Sequence, residues 1–276
     1  MTTVLERVRA RQDVTSRAGA AVRVLQMVDD PNAAAGDLAR AIGTDPLLAA
    51  RVLRTANSTY YGLSGRVSTL PFAVSVLGFQ GVRGIAVMAA AGLDDPHGAP
   101  EGFWEAAALC ATGGEIIAPM LGADPGDAFS VGLLHLIGTA LLHQACDPAN
   151  EPVRLCLPAV DDADVLPIIE QRHYGSGHDE VGAQVLRSWH VPEYVCELVG
   201  RHHRTAVPDS PALERVLHIA RALADTILRD DDGAVRAVDT CAWLSGGVIG
   251  PLVADSIVER MQTRSAALLE GLRPGG

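Results

Sequence analysis

The feature that most constrains the fold is the apolar stretch Ala128–His143, which reads AFSVGLLHLIGTALLH. Its apolar residues recur on every side of a helix with 3.6 residues per turn, a pattern typical of a helix that is buried on all faces. One histidine, His135, lies in the middle of the stretch. We therefore expect the rest of the chain to pack around a central helix that carries a polar side chain into the core.

The composition favours an all-helical protein with a large core. The chain has 276 residues, of which 48% are hydrophobic but only 4% are aromatic. A core built mainly from Ala, Leu, Val and Ile favours close-packed helices over a β-sandwich. The formal net charge of −11 argues against non-specific nucleic-acid binding, which depends on neutralising phosphates with Lys and Arg.

The cysteines and the apolar runs bear on the cellular compartment. The five cysteines are widely spaced and include no C-x-x-C pair, which argues against a disulfide framework or a structural zinc site and favours a reducing cytosol. The N-terminus lacks the apolar core of a signal peptide. No unbroken apolar run reaches the roughly 18 residues that a membrane span needs. We expect a cytoplasmic protein without a membrane segment.

Turn and capping signals divide the chain into short helices. Asp45 and Pro46 place a capping carboxylate and a proline at the start of a helix over Pro46–Ser58. Gly78 separates two further helical patterns, and the Gly- and Pro-rich stretch Gly92–Gly102 is typical of a linker. The predicted parts are an N-terminal helical subdomain, a second helical subdomain and a C-terminal helical extension, at residues 15–93, 103–228 and 234–272.

An ordered series of short motifs runs through residues 30–78. The series consists of Asp30-Pro31, Leu38-Ala39, Ile42, Asp45-Pro46-Leu47, Val52-Leu53, Ala56-Asn57-Ser58, Tyr61-Gly62, Val67-Ser68, Ala73-Val74 and Leu77-Gly78. It resembles the N-terminal half of an HDOD domain, whose motifs occur in the same order. The resemblance implies an all-α fold in two parts, in which an N-terminal HDOD bundle packs on a helical half shaped like an HD domain.

The central helix resembles the signature of the HD phosphohydrolase superfamily. Gly132–Gly138 reads GLLHLIG and is similar to GLLHDIG, in which an adjacent His-Asp pair binds a catalytic metal. Leu136 occupies the aspartate position here, and a leucine side chain can neither bind a cation nor orient a water molecule.

Two other ligand positions implied by this resemblance are also changed. The histidine expected in the helix before the central one corresponds to Ala106, within FWEAA. The aspartate expected in a late helix corresponds to Arg221, within HIAR. Because the number and type of ligands decide a metal site, we predict no ordinary HD metal centre, no metal cofactor and no catalytic residue.

Several histidines remain at positions where the wider HD superfamily often carries them. One lies in GSGHDEVG, where Ser176 and Asp179 also fit a helix-start capping box, and two are adjacent in RHHR. The candidate ligand-binding cleft, at the former metal site, then consists of His135, His178, His202, His203 and Arg221.

Three interpretations of this cleft stay open. The first is that its histidines cap helices and form hydrogen bonds across it, and the second is a residual site made of histidines alone. The third follows from Arg221, which favours an anion such as a phosphate or a nucleotide unless it pairs with Asp225 four residues later.

The N-terminal signature offers a second candidate site. Arg51 and Arg54 are expected on the polar side of their helix, facing solvent or a partner. Asn57 precedes a turn and either satisfies backbone groups there or, with Arg54 and Tyr61, lines a partner-binding groove between the two halves.

The resemblance to HDOD modules, which occur in bacterial signal-transduction proteins, implies a regulatory role. We expect a non-catalytic protein that acts through protein-protein interaction with a signalling partner that the sequence does not identify. One alternative is a sensor of an anion or a (cyclic) nucleotide, and another is a residual metal-dependent phosphohydrolase. A homodimer is a further open alternative.

Overall fold

The computed structural model describes Glu6, Val8 and residues 18–30, 32–145, 166–229 and 234–274. Within these ranges the chain forms thirteen α-helices and one short 3₁₀ helix, without a β-strand. The predicted all-α fold class is confirmed.

Four α-helices and the 3₁₀ helix form the N-terminal part. Asp45 caps α3 as predicted, because its carboxylate accepts hydrogen bonds from the backbone N–H groups of Leu47 (2.9 Å) and Leu48 (3.3 Å). Gly78, with a φ of 66° and a ψ of 170°, is non-helical and divides α4 into two helical segments, as the sequence predicted. The elements are α1 Ala18–Val28, α2 Ala35–Ile42, α3 Pro46–Ala56, the 3₁₀ helix Thr59–Tyr61 and α4 Leu70–Ala90.

Nine further helices follow. The first of them begins at the predicted start of the second subdomain, and the last two form the predicted C-terminal helical extension. The elements are α5 Phe103–Leu121, α6 Pro125–Leu134, α7 Ile137–Ala145, α8 Leu166–Tyr174, α9 His178–Ser188, α10 Glu193–Arg201, α11 Ala212–Arg229, α12 Ala234–Leu244 and α13 Pro251–Leu272.

The central helix is divided in two, which corrects the prediction of one helix over Ala128–His143. The break between α6 and α7 falls at His135 and Leu136. The His135 Nδ1 atom lies 2.7 Å from the carbonyl oxygen of Gly132 and competes for a backbone acceptor of the preceding turn. The N–H of Thr139 then bonds the carbonyl of Leu136, three residues earlier, at 2.9 Å. Both halves of the central helix are buried, as predicted.

The hydrophobic core crosses the predicted linker. Buried side chains from both helical parts, such as Leu38, Ile85, Leu134 and Val199, belong to one cluster. A second cluster lies where α5 meets the last three helices and includes Ile257. Residues 92–102 therefore connect helices but do not separate two cores.

Helix α13 contacts both parts of the fold. Along its length it packs on α5, and in its last turn it reaches α3. The carbonyl oxygen of Gly271 accepts hydrogen bonds from Arg54 Nε and Thr55 Oγ1, each at 3.1 Å. Arg264 forms an ion pair with Glu115 of α5 at 2.7 Å. This helix joins the two parts through polar as well as apolar contacts.

Two helical stretches are long and apolar enough to cross a membrane by length and composition, which the sequence analysis did not find. They are Leu70–Ala90 and Pro125–Ala145, the latter comprising α6 and α7. Within their most apolar windows, 61% and 83% of the residues are buried inside the fold. Burial against other helices accounts for an apolar surface on all sides.

Candidate functional site

The predicted cleft residues lie together where the α6–α7 junction meets the start of α9 and the end of α10. The ring centroids of His135 and His202 are 5.4 Å apart, and those of His202 and His178 are 5.1 Å apart. His203 lies 4.2 Å from His202 by the same measure. Arg221, from α11, donates a hydrogen bond to the carbonyl oxygen of His202.

His178 is held by a residue that the sequence analysis did not select, Glu170 of α8. The Oε2 atom of Glu170 accepts hydrogen bonds from the backbone N–H of His178 (2.7 Å) and from its Nδ1 atom (2.6 Å). Both side chains are buried. This carboxylate caps α9, which corrects the predicted capping box of Ser176 and Asp179. The only signal in the sequence was an acidic residue eight positions before the histidine.

The backbone of α9 approaches α7 at a glycine. A Cβ atom on Gly138 would lie 1.8 Å from the carbonyl oxygen of His178, so no other residue fits without moving a helix. Gly182, one turn further along α9, lies opposite the same position. Because neither glycine has a side chain, α7 and α9 pack closely, and the start of α9 with His178 lies at the cleft.

Three histidines, His178, His202 and His203, form what we call the three-histidine cluster. One ring nitrogen from each lies within 4.8 Å of the others. The Nε2 atom of His178 is 3.2 Å from His202 Nε2 and 2.9 Å from His203 Nε2. The rings are therefore turned so that their Nε2 atoms converge on one region.

Burial lowers the pKa values of four histidines in and beside the cleft, namely His135, His202, His203 and His218. It lowers the pKa of His135 to about 3 and the pKa of His218, from α11, to about 4, and Arg221 is the second cause for both. The pKa values of His202 and His203 are lowered by the same two causes. These imidazoles are neutral near pH 7, and each has a nitrogen lone pair.

The residues around His135 do not fit the metal centre of an HD phosphohydrolase. Ala106 and Leu136 are each only 6% exposed and offer hydrocarbon, and Arg221 offers a guanidinium. Metal ions need oxygen, nitrogen or sulfur lone pairs, which none of these three side chains supplies. Burial raises the pKa of Asp225, and the nearby Arg221 lowers it by a smaller amount.

The three residues of the predicted partner-binding groove contact other parts of the chain. The amide of Asn57 donates to the carbonyls of Leu53 (2.9 Å) and Val67 (2.7 Å) and accepts from the Val67 N–H (3.0 Å). Arg54 donates to two carbonyl oxygens in and after the last turn of α13. Tyr61 packs edge-on against a neighbouring tyrosine ring at 4.9 Å. These hydrogen bonds give Asn57 and Arg54 structural roles, as the first of the two interpretations expected, and the partner-binding groove stays a prediction.

A comparison with known families decides the identity of the fold. The model of the HDOD domain family matches residues 15–205. The chain belongs to the HDOD family. The resemblance found in the sequence motifs is confirmed, and the match extends from α1 through the three-histidine cluster.

Some of the solved structures similar to this HDOD protein are named as phosphohydrolases and others as signal transduction proteins. A candidate phosphohydrolase from Shewanella amazonensis SB2B is 24% identical with a TM-score of 0.67, over 96% of this chain and 98% of that one. A candidate signal transduction protein from Marinobacter aquaeolei VT8 is 26% identical with a TM-score of 0.69, over 94% and 61%. An HDOD domain protein with unknown function from Geobacter sulfurreducens is 22% identical with a TM-score of 0.64, over 96% of each chain.

A curated relative adds little about function. It is an uncharacterized protein from Treponema pallidum, 22% identical over 225 residues. The alignment covers 77% of this chain but 41% of the relative, so the chain spans about two fifths of that protein's length.

Proposed function

We propose that this HDOD protein is a non-catalytic regulatory protein of bacterial signal transduction that acts by binding another protein. The observation that carries the proposal is the content of the cleft around His135. Ala106, Leu136 and Arg221 place two hydrocarbon side chains and a cation where an HD phosphohydrolase needs metal ligands. The name of the Marinobacter relative, a candidate signal transduction protein, supports the same direction.

The chemistry of phosphoester hydrolysis explains why this content matters. A metal-dependent phosphohydrolase uses its cation to lower the pKa of a bound water and to polarise the phosphoryl oxygen. His135 is the one retained member of the superfamily's ligand set, and its Nδ1 atom already bonds the carbonyl of Gly132. The positive charge of Arg221 further weakens cation binding beside His135.

In this proposal, binding of the partner depends on the relative orientation of the two helical parts. Helix α13 joins those parts, through Arg54 in α3 and Glu115 in α5. A change that releases its last turn would expose the surface of α3 that the turn covers. Regulation would then consist of a shift between covered and exposed states of this surface.

An activity assay tests the non-catalytic part of the proposal. Purified full-length chain is incubated with bis-p-nitrophenyl phosphate and with cyclic dinucleotides, in the presence of Mn²⁺, Mg²⁺ or Fe²⁺. We expect no turnover above that of the metal ion alone. The matched variant is His135→Ala. Turnover that a chelator abolishes and that His135→Ala lacks would overturn the proposal and favour the residual phosphohydrolase.

The anion sensor has one supporting observation, the guanidinium of Arg221 beside the cleft. Against it, the neighbouring imidazoles are neutral and add no positive charge. Thermal unfolding with inorganic phosphate and cyclic dinucleotides separates these cases. Stabilisation by an anion that Arg221→Gln removes would support the sensor, whereas equal unfolding temperatures for all ligands would contradict it.

A further inference from the structure

We infer that this HDOD protein forms a homodimer through an exposed apolar surface at the turn between α12 and α13. The described part of the chain exposes nine large apolar side chains, and four of them lie within residues 243–253. These four are what we call the Trp243 patch, which consists of Trp243 (51% exposed), Val248 (53%), Leu252 (86%) and Val253 (37%). Single exposed apolar residues are ordinary, whereas a group of them marks an interaction surface. The dimer goes beyond the regulatory function proposed above and does not depend on it.

The core of the protein does not use these four side chains. Their close neighbours in the sequence, Leu244, Ile249 and Ala254, are buried in the second core cluster. The turn therefore carries two sets of apolar residues, one that packs inside the fold and one that faces solvent. Covering the second set with another protein surface removes apolar area from water, which favours association.

The turn holds the Trp243 patch in a fixed shape. Gly246 and Gly247 have φ values of 64° and 86° and end α12. The N–H of Gly247 donates a hydrogen bond to the carbonyl of Ala242 at 2.8 Å, and the N–H of Ile249 donates to Ser245 Oγ at 2.9 Å. A surface that is already ordered loses little conformational entropy when it binds.

The charges around the patch favour a second copy of this chain as its occupant. Positions 236, 239 and 243 share one side of α12, so the exposed Arg236 and Asp239 lie on the side of Trp243. On α13, Asp255 and Glu259 are exposed in the turns that follow the patch. A two-fold axis brings the same surface of both copies together, so Arg236 of one copy can face an acidic residue of α13 in the other. An anionic lipid surface would instead be repelled by the acidic residues.

The size of the patch indicates a weak dimer. Its four side chains expose on the order of 400 Å² in each copy, about half of the roughly 800 Å² per partner that a standard stable interface buries. The charged residues around the patch supply further contact area but little binding energy. We therefore expect an equilibrium between monomer and dimer, with a dissociation constant on the order of 10 µM.

Sedimentation velocity of the full-length chain tests the dimer. Between about 1 and 200 µM, a range that spans the expected dissociation constant, the weight-average mass should rise from 28.9 kDa toward twice that value. Raising the salt concentration from about 0.05 to 0.5 M should strengthen the dimer severalfold, because salt screens the repulsion between copies that each carry a formal charge of −11. A chain that stays monomeric throughout, or a dimer that salt weakens, would overturn the proposal.

Tryptophan fluorescence locates the contact. Of the three tryptophans, Trp104 and Trp189 are buried and Trp243 is exposed. As the protein concentration rises, the emission should shift to shorter wavelength, because Trp243 leaves water, and Trp243→Phe should abolish the shift. A shift that requires phosphatidylglycerol vesicles and occurs without a change in mass would overturn the dimer in favour of a membrane surface.

Leu252→Asp is the variant that decides the site. It should raise the dissociation constant by about 100-fold, because both copies carry the change. The side chain is exposed in the first turn of α13, where an acidic residue is tolerated, so the fold should be unaffected. The matched control is Phe72→Asp, which changes an exposed apolar residue that also follows a proline in the first turn of a helix. It should dimerise as the wild type does.

Val248→Asp supplies a second variant, outside any helix. It should weaken the dimer as Leu252→Asp does, and circular dichroism checks the folding of each variant. Dimers of wild-type strength in both folded variants would overturn the assignment of the interface to the Trp243 patch. None of these results bears on the phosphoesterase assay, so the two proposals fail separately.

Discussion

The two ends of the histidine cleft differ in what the chain retains. At the end around His135, Ala106 and Leu136 fill the expected ligand positions with hydrocarbon, and a guanidinium takes the third. At the other end, the three-histidine cluster directs ring nitrogens at one another, and the buried Glu170 holds one of the rings in place. The end around His135 surrounds one imidazole with hydrocarbon and a guanidinium, whereas the other end holds three imidazoles close together.

This difference bears on the proposed absence of phosphoester hydrolysis. Hydrolysis needs a cation beside the substrate together with groups that activate water, and the end around His135 cannot hold that cation. The content of the end around His135 therefore carries the non-catalytic proposal, and the three-histidine cluster carries no part of it.

The largest expected effect comes from Gly138→Ala, which breaks the contact between the two ends. The added Cβ would lie 1.8 Å from the backbone oxygen of His178 and would push α9 away from α7. We expect a loss of about 4 kcal/mol or more in the free energy of unfolding, measured by urea denaturation. Gly36→Ala is the control, since a Cβ there meets no atom within 4 Å and should stabilise α2 by up to about 1 kcal/mol. Equal stability of Gly138→Ala and wild type would contradict the close approach.

A smaller loss of stability is expected from Glu170→Ala, which affects only the end of the cleft that contains the three-histidine cluster. The substitution leaves the backbone N–H and the Nδ1–H of His178 buried without their acceptor. In metal-free protein the free energy of unfolding should fall by about 3 kcal/mol. The control is Glu180→Ala on the exposed side of α9, expected to change it by less than about 0.5 kcal/mol. A neutral Glu170→Ala would show that the carboxylate is not needed to hold α9.

The free energy of unfolding should depend on pH because the pKa of His218, near Arg221, differs between the folded and the unfolded chain. Its folded-state pKa of about 4 lies below the unfolded value of about 6.5. Between these values the unfolded chain binds more protons, so stability falls as pH decreases through this window and is unaffected above it. Lowering the pH from 7.5 to 5 should cost up to about 2 kcal/mol more in the wild type than in His218→Gln. His97→Gln should retain the wild-type pH dependence, and an identical slope for His218→Gln would contradict the prediction.

The smallest effect is expected from Arg221→Gln, which removes the positive charge. Arg221 is the second cause, after burial, of the lowered pKa of His218. Its removal should raise that pKa by about one pH unit or less, as followed by NMR titration. Arg187→Gln, which disrupts an exposed pair with Glu193, should leave the pKa of His218 unchanged. An unchanged pKa of His218 in Arg221→Gln would contradict the prediction that the guanidinium lowers this pKa.

Local signals in the sequence were sufficient for most of the fold. The cap at Asp45 and the helix break at Gly78 follow from the chemistry of capping residues and of glycine, which depends on neighbouring residues alone. The grouping of the cleft histidines came from the family resemblance and not from spacing, because they are separated by up to 68 positions from His135 to His203.

The features that sequence reasoning missed depend on distant contacts. Arg51 was expected at the surface, but it is 3% exposed, donates to the carbonyl of Leu93 at 2.8 Å and pairs with Asp94 at 3.1 Å. The capping by Glu170 joins two helices that meet only in the folded chain, whereas the break at His135 involves a local hydrogen bond to Gly132 that periodicity alone does not reveal. Periodicity contains no information about such pairs.

The backbone contact at Gly271 determines how the two helical parts could separate. Its carbonyl oxygen holds two side chains of α3, and a Cβ there would lie 2.6 Å from Thr55 Cα. Helix ends fray at much lower cost than packed helix centres open. Separation would therefore begin at the tip of α13 and progress toward Arg264, so a competing peptide could displace this helix in steps instead of all at once.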